Sequence, residues 1–213
     1  MSLDELIETF VNLEEERVLK IVKRLIEEGK DPSEIFEACR RAAEFIGEKF
    51  ENGEYFLSEL VYAGEIFNNI MKVVLPLIRR EIKPAGTILL GTVQGDIHDI
   101  GKNIFKVFAE AAGFKVIDIG VDVPPEKFVE AVKAYNPDIV GMSGLLTIAY
   151  DAMKRTVESL KEAGLRDKVK VIIGGGRVNE DIKRYTGADE WADNAVIGVK
   201  KCKQMLGLGD KIT

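Results

Sequence analysis

Gly91-Thr92-Val93-Gln94-Gly95-Asp96-Ile97-His98-Asp99-Ile100-Gly101-Lys102-Asn103 is the stretch from which the fold can be read. Before it comes Ile88-Leu89-Leu90, a continuous apolar run of the kind a parallel strand shows when it is buried on both faces. After it, from Ile100 to Ala112, apolar residues recur at helical spacing. The stretch is therefore a strand-to-helix loop. In an open α/β sheet such loops lie at the carboxyl edge of the strands, where ligands collect. His98, the only histidine of the chain, stands in it, two residues after Asp96 and three before Gly101.

Two readings fit these residue types. In the first, Asp96 and Asp99 cap the following helix, Gly95 and Gly101 supply turns or close packing, and His98 is an ordinary polar loop residue. In the second, His98 is a metal ligand, and a carboxylate at its other ring nitrogen fixes the tautomer and raises its basicity. No second histidine exists to complete a zinc site of the usual composition. The second reading therefore points to a metal whose remaining ligands come from a macrocycle, with the protein supplying one axial donor.

Gly95-Asp96-Ile97-His98-Asp99-Ile100-Gly101-Lys102-Asn103 is followed by Ser143-Gly144-Leu145 after a later strand and by Gly174-Gly175 after the next. Together these motifs resemble the cobalamin-binding domain of methionine synthase and the corrinoid methyl-carrier proteins of methyltransferase systems. The resemblance runs from about Leu13 to Leu206, because the helical region in front is similar to the cap of those proteins.

The rest of the chain is compatible with that resemblance. Its 213 residues suit one large domain or two small ones. Net charge is −6, and lysine and arginine alternate with glutamate along helices rather than clustering, so neither nucleic acid nor a membrane surface is an expected partner. Cys39 and Cys202 form no Cys-x-x-Cys and are far apart, which suits reduced thiols in a cytoplasmic protein. No apolar run is expected to reach the ~20 residues of a membrane span, and no charged-then-apolar leader precedes the first helix.

In chain order, the first third reads as helices. Ser2 to Phe10 is a short one; Asn12, with Glu15 three residues on, has the arrangement of a capping box opening a second helix to Gly29. Asp31-Pro32 starts a third through roughly Phe50. The fourth runs from about Leu57 to Ile82 on a broad apolar stripe, with a kink expected at Pro76. Four such helices with short turns predict a bundle over residues 1–83. Lys83-Pro84-Ala85-Gly86 marks the change to alternating strands and helices over 84–213. Strands are expected near Thr87–Val93, Lys115–Ile119, Ile139–Ser143, Lys170–Ile173 and Glu190. The fold class is thus α/β, a four-helix cap followed by a flavodoxin-like, Rossmann-like five-stranded parallel sheet.

What the resemblance implies can be placed residue by residue. His98 matches the lower axial ligand of cobalt in a base-off, His-on corrinoid, cobalamin or a relative. Asp96 matches the carboxylate that holds the other imidazole nitrogen, and Ser143 the hydroxyl that holds the carboxylate, so that protonation follows cobalt oxidation state. Gly95, Gly101, Gly174 and Gly175, with Gly144, leave room for an inserted nucleotide tail. Gly174-Gly175-Gly176 could alternatively cradle a phosphate, although the first strand-helix turn lacks Gly-x-Gly-x-x-Gly. Leu145 and Thr147 would line the tail pocket, and Val121 would pack near the lower corrin face. Phe50 and Leu57 align with apolar cap residues over the upper face; as sequence alone, they read more readily as bundle core than as a lid.

The resemblance implies a carrier that cycles between cob(I)alamin and methylcob(III)alamin. It would take methyl from a substrate-specific methyltransferase and hand it to an acceptor methyltransferase acting on a thiol or pterin. A reductive activation protein would restore cobalt. No domain for either substrate is visible, so the chain would be a carrier subunit and not a complete enzyme. The donor stays open among methylamines, methanol, methoxylated aromatics and methylated thiols. A subunit of an adenosylcobalamin-dependent mutase and a cobalamin-dependent sensor remain as alternatives.

Overall fold

The computed structural model describes residues 2–78 and 83–209. The chain divides into two compact units, Met1–Lys83 and Pro84–Thr213.

The first unit is helical. α1 (Leu3–Val11) starts at Ser2, whose hydroxyl accepts the Glu5 N–H at 3.1 Å. Asn12 does not open the next helix, as its spacing from Glu15 suggests. It closes α1, donating its N–H to Glu8 O, and Leu13 then turns the chain at φ 60°. α2 (Glu15–Glu27) begins only after that turn, with Glu14 at its cap. α3 (Pro32–Glu51) opens as read: Asp31 accepts the Ser33 N–H, and Pro32 takes the first position, where no hydrogen bond is owed.

α4 (Leu57–Val74) is capped by Glu59, whose carboxylate accepts the Phe56 N–H at 2.9 Å. It does not continue through a kink. Pro76 has no N–H to give, the α-helix stops at Val74, and Leu75–Leu77 form one turn of 3-10 helix. The remainder of the expected helix, 79–82, lies outside the described residues.

α1 packs on α2 and α3, and α4 packs on the same pair. Leu6, Phe10, Ile21, Ile35, Ile46, Ile66 and Ile70 fill the space between them, fully buried. Contrary to the sequence expectation, the stretch Leu57–Leu77 is long and apolar enough to span a membrane by length and composition. Burial of Leu60, Ala63, Ile66, Phe67, Ile70 and Val74 in the bundle accounts for that composition.

The second unit is a sheet of five parallel strands: β1 (Thr87–Thr92), β2 (Lys115–Asp118), β3 (Ile139–Ser143), β4 (Lys170–Gly174) and β5 (Glu190–Ala192). Their spatial order is β2-β1-β3-β4-β5, the flavodoxin-like order. Helices cover both faces. α6 (Pro125–Tyr135) and α7 (Ile148–Glu162) enclose a core of Leu89, Val140, Met142, Val171 and Ile173 with Phe128, Ala152 and Met153. α5 (Ile100–Ala111) and α9 (Ala195–Met205) pack together and against the strands, and α8 (Glu180–Thr186) packs on α7 and β5. The chain leaves β1 toward β2 and returns to β3 on the other side. The loops after β1 and β3 therefore diverge at a topological switch point, and the crevice there holds the site.

Candidate functional site

Asp96 organises the loop after β1. The loop leaves the strand by a turn in which Gly95 takes φ 84° and Asp96 donates its N–H to Val93 O. Thr92 Oγ1 donates to the His98 carbonyl at 3.2 Å, tying the far end of the loop back to the strand. The Asp96 carboxylate is 1% exposed and accepts four hydrogen bonds. Oδ1 takes the His98 N–H at 2.9 Å and His98 Nδ1 at 2.7 Å. Oδ2 takes the backbone N–H groups of Leu145 at 2.6 Å and Leu146 at 3.0 Å, from the loop after β3.

Those bonds determine the charge state. Burial opposes ionisation of Asp96, but the amides of Leu146 and His98, the His98 ring and the Leu145 amide together outweigh it and hold the carboxyl at about 2. An ionised carboxylate can only accept, so Nδ1 of His98 must carry the proton. The lone pair is then on Nε2. No described residue hydrogen-bonds that atom, and the side chain is half exposed. The imidazole is thus set as a one-coordinate donor aimed away from its carboxylate.

Around it the surface is apolar where solvent would favour polar groups: Ile97 is 71% exposed and Ile100 65%, and Leu145 and Leu146 are both exposed. Among the described residues no three His, Cys, Asp or Glu side chains gather to hold a metal ion. A bare imidazole nitrogen in an apolar rim suits a metal that arrives with its own planar ligand set.

A cavity of about 90 Å³ lies on the α5 and α9 side of the sheet, lined by Gly101, Phe105, Ser143, Gly174, Gly175 and Gly198, with Leu90 and Ile172 also on its wall. Gly101 and Gly174 line it where a Cβ would find open space or ordinary contact. Gly175 lines it too, but for a reason of its own: a Cβ there would stand 2.8 Å from Gly144 O, and its φ is 98°. Gly144 is confined in turn by Ala149, so the loops after β3 and β4 meet backbone to backbone.

Ser143 is not the residue that holds Asp96. Val140 and Met142 face the core beneath α6 and α7, and alternation along β3 turns Ser143 to the opposite face, toward the cavity. The two leucine amides supply the bonds expected of its hydroxyl. Leu145 and Thr147 are exposed in the β3–α7 loop and do not line the cavity. Val121 is exposed in the β2–α6 loop, beside a separate surface groove. In the helical unit Phe50, near the end of α3, is half-buried, and Leu57, the first residue of α4, is 55% exposed.

Sequence reasoning missed several contributors. The Leu145 and Leu146 amides carry no residue-type signal, since any residue but proline offers an N–H. Lys102 is 4% exposed, and its ammonium meets Asp118 Oδ2 at 2.5 Å, joining the first turn of α5 to the end of β2 beside the cavity. Its signal was a lysine on the apolar side of an amphipathic helix. Asp193 and Asn194, at the mouth of α9, also line the cavity.

Models of the B12 binding domain match residues 86–200 and 2–75. The trimethylamine corrinoid protein of Methanosarcina barkeri is 38% identical over 205 residues, 94% of each chain. Among solved structures, a cobalamin-binding protein from Desulfitobacterium hafniense DCB-2 superposes with a TM-score of 0.79 at 42% identity, over 96% of this chain and 98% of that one. A chain of the methanol:cobalamin methyltransferase complex MtaBC from Methanosarcina barkeri superposes with a TM-score of 0.83 at 27% identity, over 96% of this chain and 80% of that one. With both halves matched by B12-binding models and relatives similar along almost the whole length, this chain belongs to the corrinoid protein family.

Proposed function

We propose that this protein holds a corrinoid through His98 and carries a methyl group on its cobalt between two methyltransferases. The observation that carries the reading is the Asp96–His98 pair: an ionised carboxylate keeps the proton on Nδ1 and leaves Nε2 bare in an apolar rim. When bound, the corrinoid supplies cobalt that alternates between a nucleophilic Co(I) state and a methylated Co(III) state. His98 would hold the cobalt through Nε2 in place of the cofactor's own base, the base-off, His-on arrangement. Asp96 would hold the proton on Nδ1 and so keep the Nε2 lone pair available to the metal.

The cavity between the sheet and α5/α9, lined by Gly101, Gly174 and Ser143, would hold the cofactor's displaced tail. The exposed side chains of Ile97, Ile100, Leu145 and Val121 would keep water from the bound cofactor. On the family resemblance, Phe50 and Leu57 of the helical unit would be the residues that shield the bound cofactor. The methylamine and methanol systems of the relatives support one of these as the donor class, and the MtaBC complex supports a substrate-specific methyltransferase as one partner. An acceptor methyltransferase and a reductive activation protein complete the cycle. We place the carrier in the cytoplasm, in keeping with two free, buried cysteines.

Because the chain has one histidine, a nitrogen-15 histidine label enters a single position. In the Co(II) form of the loaded protein, electron paramagnetic resonance should show axial-nitrogen splitting that changes with the label and vanishes in His98→Ala. Splitting indifferent to both would end the reading.

A further inference from the structure

We propose that Asp122, in the β2–α6 loop, is the positioning residue of the His98 loop; its consequence for cobalt rests on the reading of His98 as the axial ligand. The ladder between β1 and β2 has its last strand pair at Leu90 and Asp118, yet the two chains stay zipped beyond it. Ile119 N–H reaches Leu90 O, Thr92 N–H reaches Gly120 O and Val123 N–H reaches Thr92 O, at 2.9, 3.0 and 3.0 Å. The zip ends in a reciprocal pair: Asp122 N–H donates to Asp96 O at 3.0 Å, and Gly95 N–H donates to Asp122 Oδ1 at 2.7 Å.

That pair grips Gly95 and Asp96 from one side, by the peptide N–H that precedes them and the carbonyl that follows them. From the other, the Leu145 and Leu146 amides grip the Asp96 carboxylate. Asp96 is therefore clamped between the loops after β2 and β3, and His98 takes both its ring orientation and its backbone position from one oxygen of Asp96. A shift at Asp122 is thus passed through Asp96 to His98, against the hold of the Leu145 and Leu146 amides on the carboxylate and of Thr92 Oγ1 on the His98 carbonyl.

To make both bonds Asp122 adopts φ 52°, a left-handed conformation that most residues with a Cβ avoid and that Asp and Asn tolerate. Glycine would satisfy the backbone but not the Gly95 N–H. Asparagine would satisfy both, because its side-chain carbonyl oxygen accepts as the carboxylate does. The two substitutions therefore separate a clamp from a turn residue.

The full-length variants Asp122→Gly and Asp122→Asn, labelled with nitrogen-15 histidine and loaded with cob(II)alamin, are to be compared with the parent. In the cofactor-free protein, Gly95 amide hydrogen exchange should accelerate by about tenfold or more in Asp122→Gly, the factor set by losing a charge-assisted bond, and stay near the parent rate in Asp122→Asn. In the loaded protein, the fraction of Co(II) showing the histidine nitrogen splitting should fall in Asp122→Gly and return in Asp122→Asn. An Asp122→Gly protein that keeps the parent's ligated fraction overturns the proposal, whatever its exchange rate. If the label leaves even the parent's spectrum unchanged, the ligand reading of His98 has failed, and Gly95 exchange alone decides whether Asp122 holds the loop: acceleration in Asp122→Gly upholds the clamp, and none overturns it.

Discussion

His98 Nδ1 stands 2.7 Å from Asp96 Oδ1, and the same oxygen takes the His98 backbone N–H at 2.9 Å. One atom thus fixes a side chain and the main chain that bears it. The other oxygen is spent on a different loop, through the Leu145 and Leu146 amides. The carboxylate is therefore both the orienting partner of the imidazole and the rivet between the loops at the switch point. Any change at Asp96 will be felt in stability as well as in ligand chemistry.

Acid titration separates the two roles. The folded-state carboxyl of Asp96 lies at about 2, below its ordinary 3.8, so it contributes stability that is fully present above the ordinary value and is lost as pH falls through about 2. The depression corresponds to about 2 kcal/mol. Asp96→Asn cannot titrate. We expect the stability gap between parent and Asp96→Asn to be widest near neutral pH and to shrink by roughly that amount between pH ~4 and pH ~2. Urea unfolding across that range measures it. A gap independent of pH would mean that these bonds do not favour the ionised carboxyl.

The cysteines should be silent. Burial pushes the Cys39 and Cys202 thiols up to about 12, and both side chains are fully buried. Only the thiolate reacts readily with disulfide reagents. Native protein at neutral pH should therefore show no fast thiol, whereas denaturant should release both of its cysteines. A fast-reacting thiol in the native protein would show local opening around α3 or α9.

How far the sequence was legible depended on which atoms did the work. The loop after β1 was readable because a lone histidine, an aspartate two residues before it and a glycine three after it are side-chain signals on a strand-helix boundary. The strand order followed, since buried parallel strands alternating with amphipathic helices leave few topologies. The partners of the second Asp96 oxygen were not readable. Serine is a plausible donor by type, but the pleat of β3 turns Ser143 the other way and hands the task to the Leu145 and Leu146 amides. Asp122 was hidden for a related reason: its role depends on φ 52° and on Gly95, which is distant in sequence but bonded in space. At Asn12, the spacing to Glu15 matched a cap, but α1 continued to Val11 and used Asn12 as its own stop.

Phe50 and Leu57 provide a test of shielding against packing. Leu57 is 55% exposed and Phe50 only half-buried, so the two cannot contribute as Ile46 does, which is fully buried. We expect Phe50→Ala with Leu57→Ala to lower unfolding stability by no more than about 2 kcal/mol, against ~2–5 kcal/mol for Ile46→Ala alone. Bound methylcobalamin should nevertheless lose its methyl group to light faster in the double variant. Parent-like photolysis, with the helical unit still folded, would leave both residues without a role at the cofactor.

The glycines divide into those the fold needs and those a ligand needs, and two alanine substitutions tell them apart. At Gly175 a Cβ would lie 2.8 Å from Gly144 O and 3.3 Å from the Gly144 carbonyl carbon and nitrogen, in a backbone at φ 98°. Nothing flexible can yield, since every near atom is main chain. Gly175→Ala should destabilise the cofactor-free protein by roughly 2–4 kcal/mol, from left-handed strain and overpacking together. At Gly101, in the first turn of α5, a Cβ meets nothing within 4 Å, and alanine is the better helix former. Gly101→Ala should therefore leave the cofactor-free protein unchanged or stabilise it by up to ~1 kcal/mol. Yet Gly101 lines the cavity assigned to the nucleotide tail, where a new methyl group would occupy the ligand's volume. Cobalamin affinity, titrated by absorbance, should fall by about tenfold or more, equivalent to ~1.4 kcal/mol of lost fit. If Gly101→Ala binds as the parent does, the tail does not pass this glycine, and the cavity beside α5 is not its path.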